Sequence, residues 1–275
     1  MTKAQKIAYY RRFSQVQQNR ERIHTPIIHA ALETQYTDFI NAYKKGAGMY
    51  DALITINTKW ITFAIRSLYH DAAKVFGAHV NAQLQAERLR AKRRTPLGFS
   101  QRLIDLINAY YEIDILNVCE QITDTTKERI IEILRTATAE QYSISAIVDA
   151  LQADLGRNRA RLIARTETVT AANRGAIIAA KDTGLLFQKE WLATIDSRTR
   201  HDHMNVNGQR VEMDGFFIVG GHQMDAPGDL GGKNGLPKVP AKERVNCRCC
   251  VLTEPVRDRR GRLIEVEHPK LAFQI

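Results

Sequence analysis

Apolar side chains recur every three or four positions through most of the first 184 residues, which is the periodicity of amphipathic helices. One such pattern runs from Lys3 to about Tyr43. Within it, Thr25-Pro26 predicts the start of a second helix, because threonine can cap a helix and proline suits a first helical turn. The segment from residue 53 to 68 is rich in Ile and Thr, but its length and its one-sided apolar pattern favour a helix over a strand. That apolar face comprises Trp60, Phe63, Ala64, Ser67 and Leu68.

The middle of the chain continues in the same way. Residues 100–120 form an amphipathic pattern, Asp124 is expected to cap another helix, and a short helix is expected to begin at Ser143 or Ser145. Residues 157–181 predict one more helix, closed by a turn that ends at Gly184. The first two thirds of the chain are therefore predicted to be almost entirely helical.

After Gly184 the pattern changes. Residues 187–194 alternate in the manner of a strand, and Gly, Pro, Asn and Asp are frequent from there to residue 240. Asn207-Gly208 is typical of a hairpin turn, and short strands are predicted at residues 210–212, 216–219 and 248–252. The expected fold class is α+β: a predominantly helical N-terminal two thirds, followed by a small loop-rich C-terminal domain with short antiparallel strands.

These patterns divide the chain into three regions. Residues 1–150 form the helical region, residues 151–255 form the loop-rich domain, and residues 256–275 form a charged tail. The tail contains the run Arg-Asp-Arg-Arg-Gly-Arg at residues 257–262, which predicts a mobile segment.

Charge is distributed unevenly. The net charge is +10, and residues 1–184 hold 26 basic against 18 acidic side chains, so most of the excess belongs to the helical part. Such an excess favours an anionic partner. The densest basic cluster is equally consistent with a solvated helix face and with a surface that neutralises DNA phosphates. The cluster comprises Arg88, Arg90, Lys92, Arg93 and Arg94.

The sequence contains neither a secretory signal nor a membrane-spanning segment. The first residues carry charges but lack the apolar stretch of a secretory signal, and no 18-residue uncharged apolar run occurs. We therefore expect a soluble protein made in a cytoplasm, without a membrane partner. Four cysteines are too few for a disulfide scaffold in a chain of this size, so reduced thiols are expected.

Two polar motifs are predicted to hold the loop-rich domain together. Arg165-Thr166-Glu167 lies on a predicted helix, and Glu167 is expected to pair with an arginine such as Arg198 or Arg248, because a fixed arginine–carboxylate pair is geometrically useful where the apolar core is thin. The alternative is a solvated helix face. Asp196 suits a turn in which its carboxylate accepts backbone N–H groups. No catalytic role is predicted for these residues.

Histidine and cysteine pairs raise the question of a metal. On extended segments, His201 and His203 would face one way, and so would Cys247 and Cys249. His203 with the two thiolates could bind zinc, with His201 or His222 as a fourth ligand. Buried reduced thiols packed beside a histidine give the same sequence pattern. We expect no cofactor, and zinc remains the alternative.

Six short segments in this order resemble the head-morphogenesis domain of the phage Mu F-like minor head proteins. They are RLIARTET (161–168), WLATIDSRTRHDH (191–203), NGQRV (207–211), FFIVGG (216–221), APGDL (226–230) and RVNCRC (244–249). The resemblance covers roughly residues 155–254, and the pattern D-x-R-x-x-x-x-H is matched at Asp196, Arg198 and His203. It implies that the following residues form a structural motif: Arg165, Glu167, Asp196, Arg198, His203, Gly208, Asn246, Cys247, Arg248 and Cys249.

The resemblance implies a minor capsid protein of a tailed phage or prophage. Such a protein is built into the procapsid in host cytoplasm, near the portal and in the capsid interior. It works by binding rather than catalysis, and its proposed work includes handling DNA during packaging or ejection. The implied partners are the portal protein, the major capsid or scaffold protein, and viral genomic DNA. Members of the family are often longer or fused to a portal or toxin domain. Because only about 20 residues follow the motif region, we expect no toxin fusion and a noncovalent contact with the portal.

Two other functions compete with this one. The first is a small metal-dependent hydrolase or nuclease in which Asp196, His201, Asp202 and His203 surround a cation that activates water. The second is a DNA-binding scaffold factor that leaves the shell before maturation.

Overall fold

The computed structural model of the chain describes residues 1–90, 101–154, 156–232 and 237–266. It confirms the α+β class, with long helices followed by short antiparallel strands. The helices are α1 (Lys3–Lys44), α2 (Met49–Ile54), α3 (Lys59–Arg90), α4 (Gln101–Ala139), α5 (Ile144–Asp154), α6 (Arg157–Lys181), α7 (His201–Asn205) and α8 (Ala241–Arg244). The strands are β1 (Phe187–Leu192), β2 (Arg210–Glu212), β3 (Phe217–Val219), β4 (His222–Met224) and β5 (Cys250–Pro255).

Helix α1 runs without a break past Pro26, so the prediction of a second helix starting at Thr25-Pro26 was wrong. Pro26 lies on the exposed side of the helix, while the buried positions continue on the other side through residues 21, 24, 28, 32, 35 and 39. The Thr25 hydroxyl donates to the Glu21 carbonyl at 2.6 Å. Because the buried stripe continues across the proline, packing outweighs the loss of one backbone hydrogen bond.

The expected cap at Asp124 was wrong for the same reason. Helix α4 passes through this exposed position, and its buried side continues from Ile115 through Thr123 and Thr126 to Ile130 and beyond. An uninterrupted stripe at helical spacing keeps one long helix in place of two. The short helix expected at Ser143 is confirmed as α5, where the Ser143 hydroxyl oxygen accepts the backbone N–H of Ala146 at 3.2 Å.

The Ile- and Thr-rich segment 53–68 is helical only in part, because α2 ends at Ile54, residues 55–58 are not helical and α3 begins at Lys59. Its apolar face was wrongly assigned. Trp60 and Phe63 are exposed by 48% and 67%, whereas Ile61 and Ile65 are fully buried. Ala64 and Leu68 are buried as predicted. The buried side is thus rotated from the one expected, because the large aromatic side chains do not face the core.

The described chain forms two compact units. Unit 1 comprises residues 1–20, 69–111 and 165–275, and unit 2 comprises residues 21–68 and 112–164. Each unit takes parts of several helices, whereas the strands lie in unit 1 alone. The division into regions 1–150, 151–255 and 256–275, made on sequence character, stays a prediction.

Two small antiparallel sheets organise the C-terminal part of unit 1. One has the strand order β2-β1-β5, with Glu190 opposite Arg210 on one side and opposite Leu252 on the other. The other pairs β3 with β4. The strands expected at residues 210–212, 216–219 and 248–252 are confirmed within a few residues. Strand β1 is buried along most of its length rather than alternating, because β2 and β5 flank it and neighbouring elements cover its faces.

The described part of the tail makes contacts with the strand region, and its predicted mobility stays a prediction. The Val256 N–H donates to the Leu186 carbonyl at 2.8 Å, and Asp258 accepts the N–H groups of Arg260 and Arg262 in a tight turn. Leu263 is 8% exposed. One buried apolar side chain and a side-chain-stabilised turn therefore anchor residues 256–266, despite their charge.

No helix in the described ranges combines the length and the apolar character needed to cross a bilayer.

Candidate functional site

The segment after α8 places alternate side chains on opposite sides. Asn246 adopts a left-handed backbone conformation with φ +61°, and Val245 before it is extended. Cys247 and Cys249 point into the buried interior, while Arg248 between them points to the half-exposed surface. The Cys250 side chain packs in an apolar cluster that includes Phe13, Phe76 and Leu252. It therefore lies apart from the other two thiols, as expected for the next residue of an extended segment in which side chains alternate.

Arg248 binds Asp196, which lies far away in sequence. Its two terminal nitrogens lie 2.6 and 2.7 Å from the two carboxylate oxygens of Asp196, the bidentate geometry of the strongest arginine–carboxylate pairs. Asp196 also accepts the Arg198 N–H at 3.0 Å, which confirms the predicted turn. Arg248 in particular holds the pKa of Asp196 well below its usual range. The side chain of Arg198 itself is 75% exposed.

Glu167 makes a buried ion pair, but with a different arginine from either one predicted. Its carboxylate accepts Arg244 Nη1 at 2.9 Å and the Tyr69 hydroxyl at 2.6 Å. The sequence prediction failed because Arg244 belongs to a short helix, α8, that was not foreseen. Helix α6 contacts the same segment twice more. Arg165 donates to the Asn246 side-chain oxygen at 2.8 Å, and Thr166 accepts the Asn246 N–H.

His203, Cys247 and Cys249 form a buried group of possible metal ligands. Nδ1 of His203 lies 3.4 Å from the Cys249 sulfur and 3.6 Å from the Cys247 sulfur. On the other side of the ring, Nε2 lies 3.3 Å from Oε2 of Glu243. The imidazole meets Trp191 edge-on, with ring centroids 5.5 Å apart. The three side chains that the sequence offered as an alternative metal site therefore lie together, with their ligand atoms within 4.8 Å of one another.

The two thiols of this group have different acidities. Hydrogen bonding with the neighbouring Cys247 side chain, aided by His203, lowers the pKa of Cys249. The same hydrogen bond and burial raise the pKa of Cys247. Burial raises the pKa of Cys250, which is outside the group.

Other residues proposed for the site lie elsewhere. His201 and His203 sit on helix α7 rather than on an extended strand, so the side chain of His201 is 87% exposed while His203 is buried. His222 lies on β4 and is not part of the group of potential ligands that the described residues contain. Gly208 has φ +82° in a tight turn, but this turn joins α7 to β2 instead of two strands of a hairpin.

Sequence reasoning missed a second buried polar cluster, which holds the loop Ala-Pro-Gly-Asp at residues 226–229. Arg174 on α6 pairs with Asp229 at 2.8 Å and also with Asp225. Lys189 on β1 is fully buried and contacts Asp225. Burial, and after it the nearby Arg174, lowers the pKa of Lys189 to about 7 despite this contact. The available signal was a pair of charged residues, Lys189 and Glu190, within a strand that also carries Phe187 and Trp191.

Helix α6 fixes the same loop through uncharged groups. Thr170 donates to the Gly228 carbonyl at 2.9 Å, and Asn173 donates to the Pro227 carbonyl at 2.9 Å. The Asn173 side-chain oxygen accepts the Val251 N–H at 2.8 Å, so the helix joins the loop to β5. These residues were missed because helical periodicity does not distinguish a buried Thr or Asn from a solvated one.

The basic cluster is described only in part. Arg88 and Arg90 lie in the last turn of α3, and Lys92, Arg93 and Arg94 lie outside the described residues. Among the other basic residues near the N-terminus, Lys6 pairs with Glu190 and Arg20 with Asp71, whereas Arg11 and Arg12 are exposed.

Comparisons with known proteins match the part of the chain that contains this site. The family model "Phage Mu protein F like protein" matches residues 119–252. This range begins inside α4, well before the predicted start of the resemblance, and it includes the Asp196–Arg248 pair and the His203 group. No solved structure is significantly similar.

Two curated relatives are also similar. The chain is 30% identical over 166 residues to "Minor head protein GP7" of Bacillus phage SPP1, covering 57% of this chain and 51% of that protein. It is 37% identical over 93 residues to "NAD(+)--arginine ADP-ribosyltransferase EFV" of Enterococcus faecalis (strain ATCC 700802 / V583), covering 33% of this chain and 18% of that protein. The chain thus spans about half or less of the length of these relatives. Residues 119–252, just under half of the chain, thus resemble the phage Mu protein F like family.

Proposed function

We propose that this protein is a minor component of a phage head that is built in during procapsid assembly and acts by binding. The family match and the similarity to a protein named a minor head protein support this proposal. On this account the protein lies in the capsid interior near the portal, after synthesis and assembly in host cytoplasm. The portal protein and the major capsid or scaffold protein are the partners we propose.

One observation carries the proposal from family to mechanism: the charged motif residues bind one another. The Asp196 carboxylate is paired with Arg248, and the Glu167 carboxylate accepts hydrogen bonds from Arg244 and Tyr69. A carboxylate held by a bidentate arginine and further N–H donors is poorly suited to act as a general base. These pairs therefore serve to hold loops in one shape, which is what a docking module needs.

The hydrolase alternative lacks the arrangement that it requires. It needs Asp196, His201, Asp202 and His203 around one cation. His201 is exposed, His203 is buried, and Asp196 is bound to Arg248. In the described ranges, the group of three or more potential metal ligands is His203, Cys247 and Cys249 instead.

Particle composition tests the proposed function. The chain is co-expressed with the portal, scaffold and major capsid proteins of its own phage, and purified procapsids and mature heads are analysed by quantitative mass spectrometry. We expect the protein in both kinds of particle, at a copy number far below that of the major capsid protein. Presence in procapsids alone would support the departing scaffold factor, and absence from both would overturn the assignment.

DNA binding is tested separately, because it concerns only the basic cluster. We propose that Arg88, Arg90, Lys92, Arg93 and Arg94 neutralise DNA phosphates. Replacing Arg93 and Arg94 by Ala should lower the slope of log affinity against log salt by about 0.9 for each phosphate that is no longer neutralised. A matched double variant, Arg259→Ala with Arg260→Ala, should leave the slope unchanged. Equal slopes in all three proteins would remove DNA from the partners of this cluster.

A further inference from the structure

Three side chains with strong affinity for soft and borderline metals converge on one point in unit 1. His203 comes from α7, and Cys247 and Cys249 come from the segment after α8. Their ligand atoms all lie within 4.8 Å of one another, and each residue is at most 2% exposed. Two segments more than 40 positions apart are thus brought together by groups that, without a metal, make only weak hydrogen bonds.

The distances suit one ion bound to all three groups. Zinc binds histidine nitrogen at about 2.0–2.1 Å and thiolate sulfur at about 2.3 Å, so tetrahedral geometry places nitrogen and sulfur roughly 3.5 Å apart. The observed distances from His203 Nδ1 to the sulfurs of Cys249 and Cys247 are 3.4 and 3.6 Å. A single ring nitrogen has one proton or one lone pair and cannot form good hydrogen bonds to two sulfurs at once. An ion between the three atoms satisfies all of them.

The surroundings of the group favour the same arrangement. Nε2 of His203 faces Oε2 of Glu243 at 3.3 Å, and neither atom makes a hydrogen bond to another described residue. A proton on Nε2 directed at Glu243 leaves the Nδ1 lone pair directed at the sulfurs, as in the carboxylate–histidine–metal arrangement. The Cys249 N–H lies 3.4 Å from the Cys247 sulfur, where it stabilises negative charge.

We propose that His203 Nδ1 and the thiolates of Cys247 and Cys249 bind one Zn²⁺ ion, with Glu243 orienting the histidine. Thiolates select zinc over the hard cations magnesium and calcium. The fourth position is left to a non-protein ligand such as water, since the described group contains three side-chain ligands. Bound zinc would join α7 to the segment between α8 and β5, two parts of the chain more than 40 positions apart.

Metal content of the purified full-length chain gives the first test. We expect about one Zn²⁺ per chain by elemental mass spectrometry. After removal of the ion with a chelator, Co²⁺ should restore one equivalent and show the visible absorption typical of tetrahedral thiolate-bound cobalt. His203→Ala and Cys249→Ala should lose the ion, whereas Glu243→Gln should retain it with about 10–100-fold weaker affinity.

Neighbouring residues supply matched controls. His201→Ala removes an exposed imidazole from the same helix, and Cys250→Ala removes a thiol adjacent in sequence that lies outside the group. Both should bind zinc as the wild type does. If the wild-type chain binds no stoichiometric zinc or cobalt, or if His203→Ala and Cys249→Ala bind as well as His201→Ala, the zinc site does not exist.

Thiol reactivity tests the proposal without any substitution. In the folded wild-type chain, alkylation followed by peptide mass spectrometry should show Cys247 and Cys249 protected when zinc is present and modified faster after chelation. Cys119 and Cys250 are buried outside the group and should react equally slowly in both conditions. Identical rates at Cys247 and Cys249 with and without chelator would show a metal-free thiol–imidazole pair and overturn the proposal.

Discussion

Unit 2 and the C-terminal part of unit 1 are stabilised by different kinds of contact. In unit 2, long helices bury apolar side chains such as Ile28, Leu32 and Ile65 at helical spacing. In the C-terminal part of unit 1, short strands and loops are joined by buried polar groups, among them Glu167 and Arg174. Apolar contacts are non-directional and tolerate substitutions of similar size, whereas buried charges require a specific partner. The second region should therefore be the more sensitive to conservative substitution.

The largest effect is expected at the buried pair of Glu167 and Arg244. Glu167→Ala leaves the arginine buried without a carboxylate and should lower the free energy of unfolding by about 3–5 kcal/mol. Denaturant unfolding of the purified chain measures it. Asp214→Ala is the control, because its pair with Lys181 is at the surface and should contribute about 0–1 kcal/mol. Equal decreases in the two variants would contradict the comparison.

A backbone substitution should have the next largest effect. Gly228 has φ +87°, and a Cβ there would lie 2.6 Å from the Thr170 hydroxyl. Gly228→Ala combines the cost of a left-handed conformation with overpacking and should lower stability by roughly 2–4 kcal/mol. Gly208→Ala also has positive φ but meets no atom within 4 Å, so its stability should fall by only about 1–2 kcal/mol. Thermal unfolding that ranks the two variants in the reverse order would refute the close packing of this loop on α6.

In unit 2, a conservative change of shape should be tolerated. Leu32 is fully buried, and Leu32→Met should cost less than about 1.5 kcal/mol, while Leu32→Ala should cost about 2–5 kcal/mol. The matched substitution in the polar region, Glu167→Gln, preserves size but removes the charge. If denaturant unfolding shows Glu167→Gln to be less costly than Leu32→Met, the two regions do not differ in the way described.

The smallest effect on stability is expected from the exposed Asp196–Arg248 pair, and it should depend on pH. Arg248 lowers the folded-state pKa of Asp196 below its unfolded value of about 3.9. The pair therefore stabilises the folded state fully above that pH, and this stabilisation is lost as pH falls through the folded-state pKa. Melting temperatures of wild type and Asp196→Asn should differ most near neutral pH and converge in acid. A constant difference down to strongly acidic pH would show that Asp196 does not act through its charge.

The sequence predicted elements wherever one periodicity dominated. Helix α6 and strand β2 were found at their observed positions, and alternation placed Cys247 and Cys249 on the same side, with His203 named only as a possible companion ligand. Helix ends inside α1 and α4 were predicted wrongly, because local capping signals at Pro26 and Asp124 are weaker than a continuous buried stripe.

Partners of buried charges were the least predictable feature. Glu167 was expected to bind Arg198 or Arg248 and binds Arg244, since the choice depends on a four-residue helix that has no periodic signature. The cluster of Arg174, Lys189 and Asp229 gave no short motif, because its members come from a helix, a strand and a loop. His201 was assigned to the face of His203 on the assumption of an extended chain, and helix α7 separates them.

A double-mutant cycle on Glu167 and Arg244 tests the central claim most directly, that buried polar pairs hold the C-terminal part of unit 1 together. The Glu21–Arg161 pair in unit 2 is the reference, because Arg161 is 63% exposed while the Arg244 side chain is 10% exposed. We predict a coupling energy of about 2–3 kcal/mol for Glu167 with Arg244 and below about 1 kcal/mol for Glu21 with Arg161. A coupling near zero for Glu167 and Arg244 would contradict the account.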